Sequence, residues 1–94
     1  MKKITHAETR RSKKAHTAAL QTVYDAIVQR LIEARRESGL TQREVSAQIG
    51  RAHSFLSKCE TGERRVDVLE LLQLAKLYEK PLRYFLGDWD GRDS

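Results

Sequence analysis

Apolar residues recur at three- and four-residue intervals along most of this chain and nowhere alternate with polar ones over the length of a strand. Leu20, Val23, Tyr24, Ile27, Leu31 and Ala34 form one such stripe and predict a first helix from Thr17 to Glu37. Thr17 is its candidate N-cap, and Ser38-Gly39 its stop, with Gly39 free to take the left-handed conformation. Thr41 and Glu44 have the spacing of a capping box and open a second helix, whose Val45 and Ile49 face inward. Small Ser46 lets a following helix approach closely, and Gly50 permits a sharp turn. A third helix is predicted over Ala52 to Glu60, with Phe55, Leu56 and Cys59 inward, ended by Thr61-Gly62. A fourth starts at Asp67 with Glu70 as capping-box partner, and Val68, Leu71, Leu72, Ala75 and Tyr78 supply its inner face. Pro81 suits the first turn of a short fifth helix, from which Leu82, Phe85 and Leu86 close the core. The pattern describes an all-α, compact five-helix domain.

The chain has 94 residues, which suits one domain rather than two independent cores. Its 18 Lys and Arg against 13 Asp and Glu leave a formal charge of +5, which invites a polyanionic partner or simply maintains solubility. Residues 1–16 carry Lys2, Lys3, Arg10, Arg11, Lys13 and Lys14 against Glu8 alone, with little apolar surface to bury. They are expected to form a flexible basic arm or a frayed extension of the first helix. Such an arm is either a solvated tail or a segment that follows phosphates or enters a minor groove. Residues 17–87 form the folded domain and 88–94 a polar tail. No apolar run spans a bilayer, and no secretory pattern is expected behind the N-terminal lysines. The single Cys59 suits a reducing cytosol, as a core thiol rather than a redox switch. His6, His16 and His53 are too scattered to ligate a metal, and no cofactor motif or catalytic set of acids, bases and nucleophiles assembles.

The decisive stretch is LTQREVSAQIGRAHSFLSKCE, from Leu40 to Glu60. Two short helices joined at Gly50, the second opening with small polar and basic side chains, have the chemistry of a helix laid in the major groove of DNA. Together with ARRESGLTQREVSAQIG, SFLSKCETGERR and DVLELLQLAKLYEKPLRYFL, this region from Arg35 to Leu86 resembles the Xre family of helix-turn-helix regulators, which includes phage repressors and many antitoxins. The resemblance covers a little over half the chain and implies a phage-repressor-like fold that binds double-stranded DNA.

It also implies residue roles. Gln42 corresponds to a glutamine that braces the DNA backbone, and Arg35 to an arginine that pairs with Glu60 to tie the recognition helix to the scaffold. His53, Ser54, Ser57 and Lys58 fall where family members read base edges. The chemistry agrees: His53 and Lys58 can reach guanine acceptors, while short serines adapt to several bases. Arg43, Arg51, Thr61, Arg64 and Arg65 are candidate contacts to the sugar-phosphate backbone, which position rather than specify. Phe55 either packs inward or touches a thymine methyl.

Three positions depart from the family pattern. Arg51 stands where an apolar residue is common and either swings out to a phosphate or loosens the turn. Glu79 replaces a common glycine, so the link between the fourth and fifth helices is open to a different cap. Cys59 replaces a larger apolar residue. Tyr84 and Trp89 are either half-buried side chains or anchors of a dimer interface.

The expected protein is a cytoplasmic, nucleoid-associated transcriptional regulator, a repressor acting as a homodimer on a palindromic operator. The competing expectation is an antitoxin or antiactivator whose main partner is another protein, a toxin or an activator, with DNA binding serving autoregulation. An enzyme is not expected.

Overall fold

The computed structural model describes residues 6–89, with side chains from residue 18 onward. Residues 1–5 of the basic arm and 90–94 of the tail lie outside the described residues. The chain folds into α1 (His6–Ser38), α2 (Gln42–Gln48), α3 (Phe55–Thr61), α4 (Val68–Tyr78) and α5 (Leu82–Leu86), with no strand among the described residues. Helix α1 packs against α3, α4 and α5, and α2 packs against α3.

Helix α1 starts at His6, well before the predicted Thr17, which lies in its interior. Residues 6–16 contain neither proline nor glycine and are rich in alanine, lysine and arginine, so local propensity lets the helix run on without an apolar stripe. The other end is as the sequence indicates: Gly39 takes φ +74° and its N–H bonds to the Arg36 carbonyl.

Both capping boxes form. In α2 the Glu44 N–H donates to Thr41 Oγ1 at 3.1 Å, and the Thr41 N–H to Glu44 Oε1 at 2.8 Å. In α4 the Glu70 N–H donates to Asp67 Oδ1 at 2.7 Å, and the Asp67 N–H to Glu70 Oε1 at 3.0 Å. Helix α4 ends on Glu79, which itself adopts the left-handed conformation at φ 57° and ψ 45°, the conformation a glycine would take without strain. The Lys80 N–H reaches back to the Ala75 carbonyl at 3.0 Å, closing the helix end.

One core unites Leu31 and Ala34 of α1, Val45 of α2, Phe55, Leu56 and Cys59 of α3, Leu74, Ala75 and Tyr78 of α4, and Phe85 of α5. Three expectations about it are corrected. Val68 and Leu72, assigned to the inner face of α4, are 73% and 46% exposed, because the helix is rotated to bury Glu70 on the same stripe as Leu74 and Tyr78. Leu20, at the start of the α1 stripe, is 46% exposed and lies outside the core. Leu82 is exposed too, and Phe85 alone of α5 is fully buried.

Candidate nucleic-acid interface

Helix α3 begins at Phe55, three residues later than its apolar pattern suggests. Ala52, His53 and Ser54 form a turn closed by the Phe55 N–H on the Ala52 carbonyl at 2.9 Å. Ser54 is the N-cap residue but its side chain makes no capping hydrogen bond, so the hydroxyl stays available. The α2–α3 connection turns at Gly50, φ +74°, where a side chain would be strained. Ser46, fully buried, fixes the approach of the two helices: its Oγ accepts the Leu56 N–H at 3.1 Å, which satisfies a donor that the start of α3 leaves unpaired.

The far end of α3 is tied down by charge. Arg35 Nε and Nη2 grip Glu60 Oε2 and Oε1 at 2.8 and 3.1 Å, and Arg35 Nη1 donates to the Leu40 carbonyl at 3.0 Å. Gln42 Nε2 adds a 2.7 Å bond to Glu60 Oε1. The two charged side chains are only 13% and 7% exposed. The Glu60 hydrogen bond holds the Arg35 guanidinium firmly protonated. Beside this pair lies the Tyr78 hydroxyl, buried without a hydrogen-bond partner, and burial pushes its ionisation far up. Burial likewise raises the Cys59 thiol, which is enclosed in the core.

With Phe55, Leu56 and Cys59 inward, α3 turns its other flank out. His53 and Lys58 are exposed, and Ser54 and Ser57 half-buried. Ser57 Oγ donates to the Ser54 carbonyl at 3.0 Å and Thr61 Oγ1 to the Lys58 carbonyl at 3.2 Å, so these hydroxyl oxygens are left as acceptors. Arg43, on α2, is exposed. Gln42 has one amide hydrogen engaged with Glu60 and a second to offer.

The remaining arginines are held rather than splayed. Arg51 is anchored while part of it stays exposed: its Nη2 pairs with Glu70 Oε2, its guanidinium lies 4.9 Å from the Phe55 ring centroid, and its side chain is 37% exposed. Arg64 donates to Glu70 Oε1 and Oε2 at 2.7 and 2.9 Å and sits at the same distance from the same ring. Phe55 is therefore an inward residue with cationic neighbours and only 6% exposed. Arg65 lies over the Tyr24 ring at 4.8 Å and donates to Gln21 Oε1 at 2.6 Å, while Tyr24 Oη accepts the Val66 N–H at 3.0 Å. These contacts lash the α3–α4 loop to α1.

Glu70 is the residue that sequence reasoning missed, having been read only as a capping partner. Its i, i+4, i+8 register with Leu74 and Tyr78 was the available signal, because an acid on a buried stripe requires cationic partners. The Arg64 hydrogen bonds hold its carboxyl below the usual range.

Tyr84 is half-buried, edge-on to Phe85 at 5.0 Å, with Lys80 Nζ 4.7 Å from its ring centroid. Lys80 also pairs with Glu37 at 2.8 Å. Trp89 is 38% exposed, and Val68, Leu69 and Leu72 present a largely exposed apolar face on α4. Among the described residues no cluster of His, Cys, Asp or Glu could hold a metal ion, and no helix is long and apolar enough to cross a membrane.

A helix-turn-helix domain model matches residues 26–81, more than half the chain. An uncharacterized HTH-type transcriptional regulator, y4dJ, of Sinorhizobium fredii is 48% identical over 42 residues, 45% of this chain and 54% of that protein. The match thus spans about half the length of this curated relative. A solved structure of an XRE-family like protein from Pseudomonas syringae pv. tomato superposes with a TM-score of 0.70 at 36% identity, over 77% of this chain and 88% of the other.

Proposed function

The chain belongs to the Xre family of helix-turn-helix regulators, and from that premise we propose that it reads a specific sequence in duplex DNA through α3 and regulates transcription there. One observation carries the reading: α3 has its apolar flank packed on α1 and α2 within the shared core, while His53, Ser54, Ser57 and Lys58 line the flank left open. His53 and Lys58 reach for guanine N7 and O6, and the serines accept from exocyclic amino groups. Gln42, Arg43, Arg51, Thr61, Arg64 and Arg65 set the register on the phosphates.

The finer reading is a repressor, dimeric on a palindrome. The exposed Val68, Leu69 and Leu72, with Trp89 beyond α5, supply apolar surface of the kind a subunit interface covers. The same surface supports the second reading, an antitoxin or antiactivator whose main partner is another protein. Selection of bound sites from random duplex DNA at fixed salt, with the mass of the complex measured in parallel, tests the specific reading, the dimer and the protein-partner alternative, and a reporter gene placed behind the selected site tests repression. A palindrome with half-sites about 34–36 Å apart and two chains bound supports the dimeric regulator. A one-to-one assembly with a second protein that forms in place of the dimer supports the alternative, and failure to enrich any sequence overturns specific reading.

A further inference from the structure

The recognition helix is bracketed by two arginines that share one hidden acid. Arg51 stands before α3 and Arg64 after it, yet both bond to the Glu70 carboxylate and both lie 4.9 Å from the Phe55 ring centroid. The acid is completely buried, whereas the arginine side chains keep 37% and 39% exposure. The cluster therefore shows solvent its cationic side. Glu70 Oε1 also accepts the Asp67 N–H, so the carboxylate cannot turn without uncapping α4. The Arg64 N–H bonds to the Lys58 carbonyl at 3.2 Å, which fixes the cluster beside the open flank of α3. A guanidinium has five N–H donors, more than these contacts use.

We propose that Glu70 is a positioning residue for DNA binding, which holds Arg51 and Arg64 together against Phe55 as a rigid two-cation clamp for the phosphate backbone beside α3. The proposal rests on the duplex-DNA reading above. A free arginine gives up rotamer freedom when it grips a phosphate; two that are already fixed in the unbound protein do not. An acid that is hidden behind its partners therefore strengthens binding to a polyanion.

The sign of one substitution separates this from bulk electrostatics. Glu70→Gln raises the net charge by one and keeps an acceptor for the Asp67 N–H, so charge alone makes every duplex bind more tightly. The clamp requires the reverse. In the full chain, with circular dichroism and melting confirming a folded protein at the assay temperature, Glu70→Gln is expected to lower affinity about tenfold for random and selected duplexes alike and to flatten the salt slope by about one unit or more. In an Arg51→Ala/Arg64→Ala background the same change is expected to cause no further loss. Affinity equal to or above that of the unaltered chain overturns the proposal. Should Glu70→Gln not fold, Arg64→Lys serves, since it keeps the charge but not the fork. It is expected to flatten the slope as Arg64→Ala does, and undiminished affinity overturns the clamp. An unaltered chain that binds no duplex at low salt overturns the DNA reading itself, which is a separable outcome.

Discussion

Removing Arg35 while leaving Glu60 in place strikes the joint that aims α3. Arg35→Met keeps the apolar stem but deletes three hydrogen bonds, two to Glu60 and one to the Leu40 carbonyl. Glu60, 7% exposed, is left with the single Gln42 bond. Breaking a buried pair on one side costs about 3–5 kcal/mol, because the surviving charge is stranded. The remaining Gln42 bond and the partial exposure of the pair favour the lower figure, about 3 kcal/mol. At roughly 4–8 °C per kcal/mol for a domain of this size, that is a fall in Tm of about 12–24 °C. The paired change Arg35→Met/Glu60→Leu removes both charges and is expected to restore most of the loss, since the intact pair contributes little net stability. Urea unfolding of the four proteins of the cycle, followed by circular dichroism, gives the coupling directly. A single-mutant cost under about 1 kcal/mol, or a double mutant no better than the single, refutes the view that the pair orients α3 from within a desolvated site.

Three further outcomes are expected. His53→Ala and Lys58→Ala should each cost about 1–3 kcal/mol on a selected site and much less on random duplex, whereas Arg43→Ala should weaken both equally and flatten the salt slope by about one unit; fluorescence anisotropy titrations at several salt concentrations decide, and identical behaviour of the two groups disproves the division. Glu70 has a folded-state pKa below its ordinary value of 4.5, so its stabilisation is complete above that pH and is lost as acid carries the protein through the lowered folded value; urea midpoints of Glu70→Gln should accordingly fall less steeply than those of the unaltered chain below about pH 4.5. Glu79→Gly relieves a left-handed conformation at φ 57° and should raise stability by up to about 1 kcal/mol in the same unfolding assay, with DNA affinity unchanged.

Much of the architecture follows from local chemistry that the linear chain already displays. Thr41 with Glu44 and Asp67 with Glu70 satisfy their own orphan donors within one helical turn, so both helix starts are legible without any tertiary partner. Gly39 and Gly50 mark turns because few other residues accept their φ. The three- and four-residue spacing likewise shows that Leu31, Ala34, Val45, Leu56 and Cys59 belong inside. Periodicity is silent on helix rotation and on where a pattern ceases to be helix. Val68 and Leu72 fit an amphipathic stripe with Ala75 and Tyr78 as well as Leu74 does, and in the fold it is Leu74 that is buried, together with Glu70 paired to Arg51 and Arg64. The start of α3 at Phe55 depends on the Ser46 hydroxyl of another helix, and the start of α1 at His6 has no apolar marker at all. Local hydrogen bonding and helical period therefore settle which elements exist and where most of them turn. Long-range charge pairing settles how they are rotated and which arginines stand beside the recognition helix, because partners such as Arg51 and Glu70 meet only once the chain has folded.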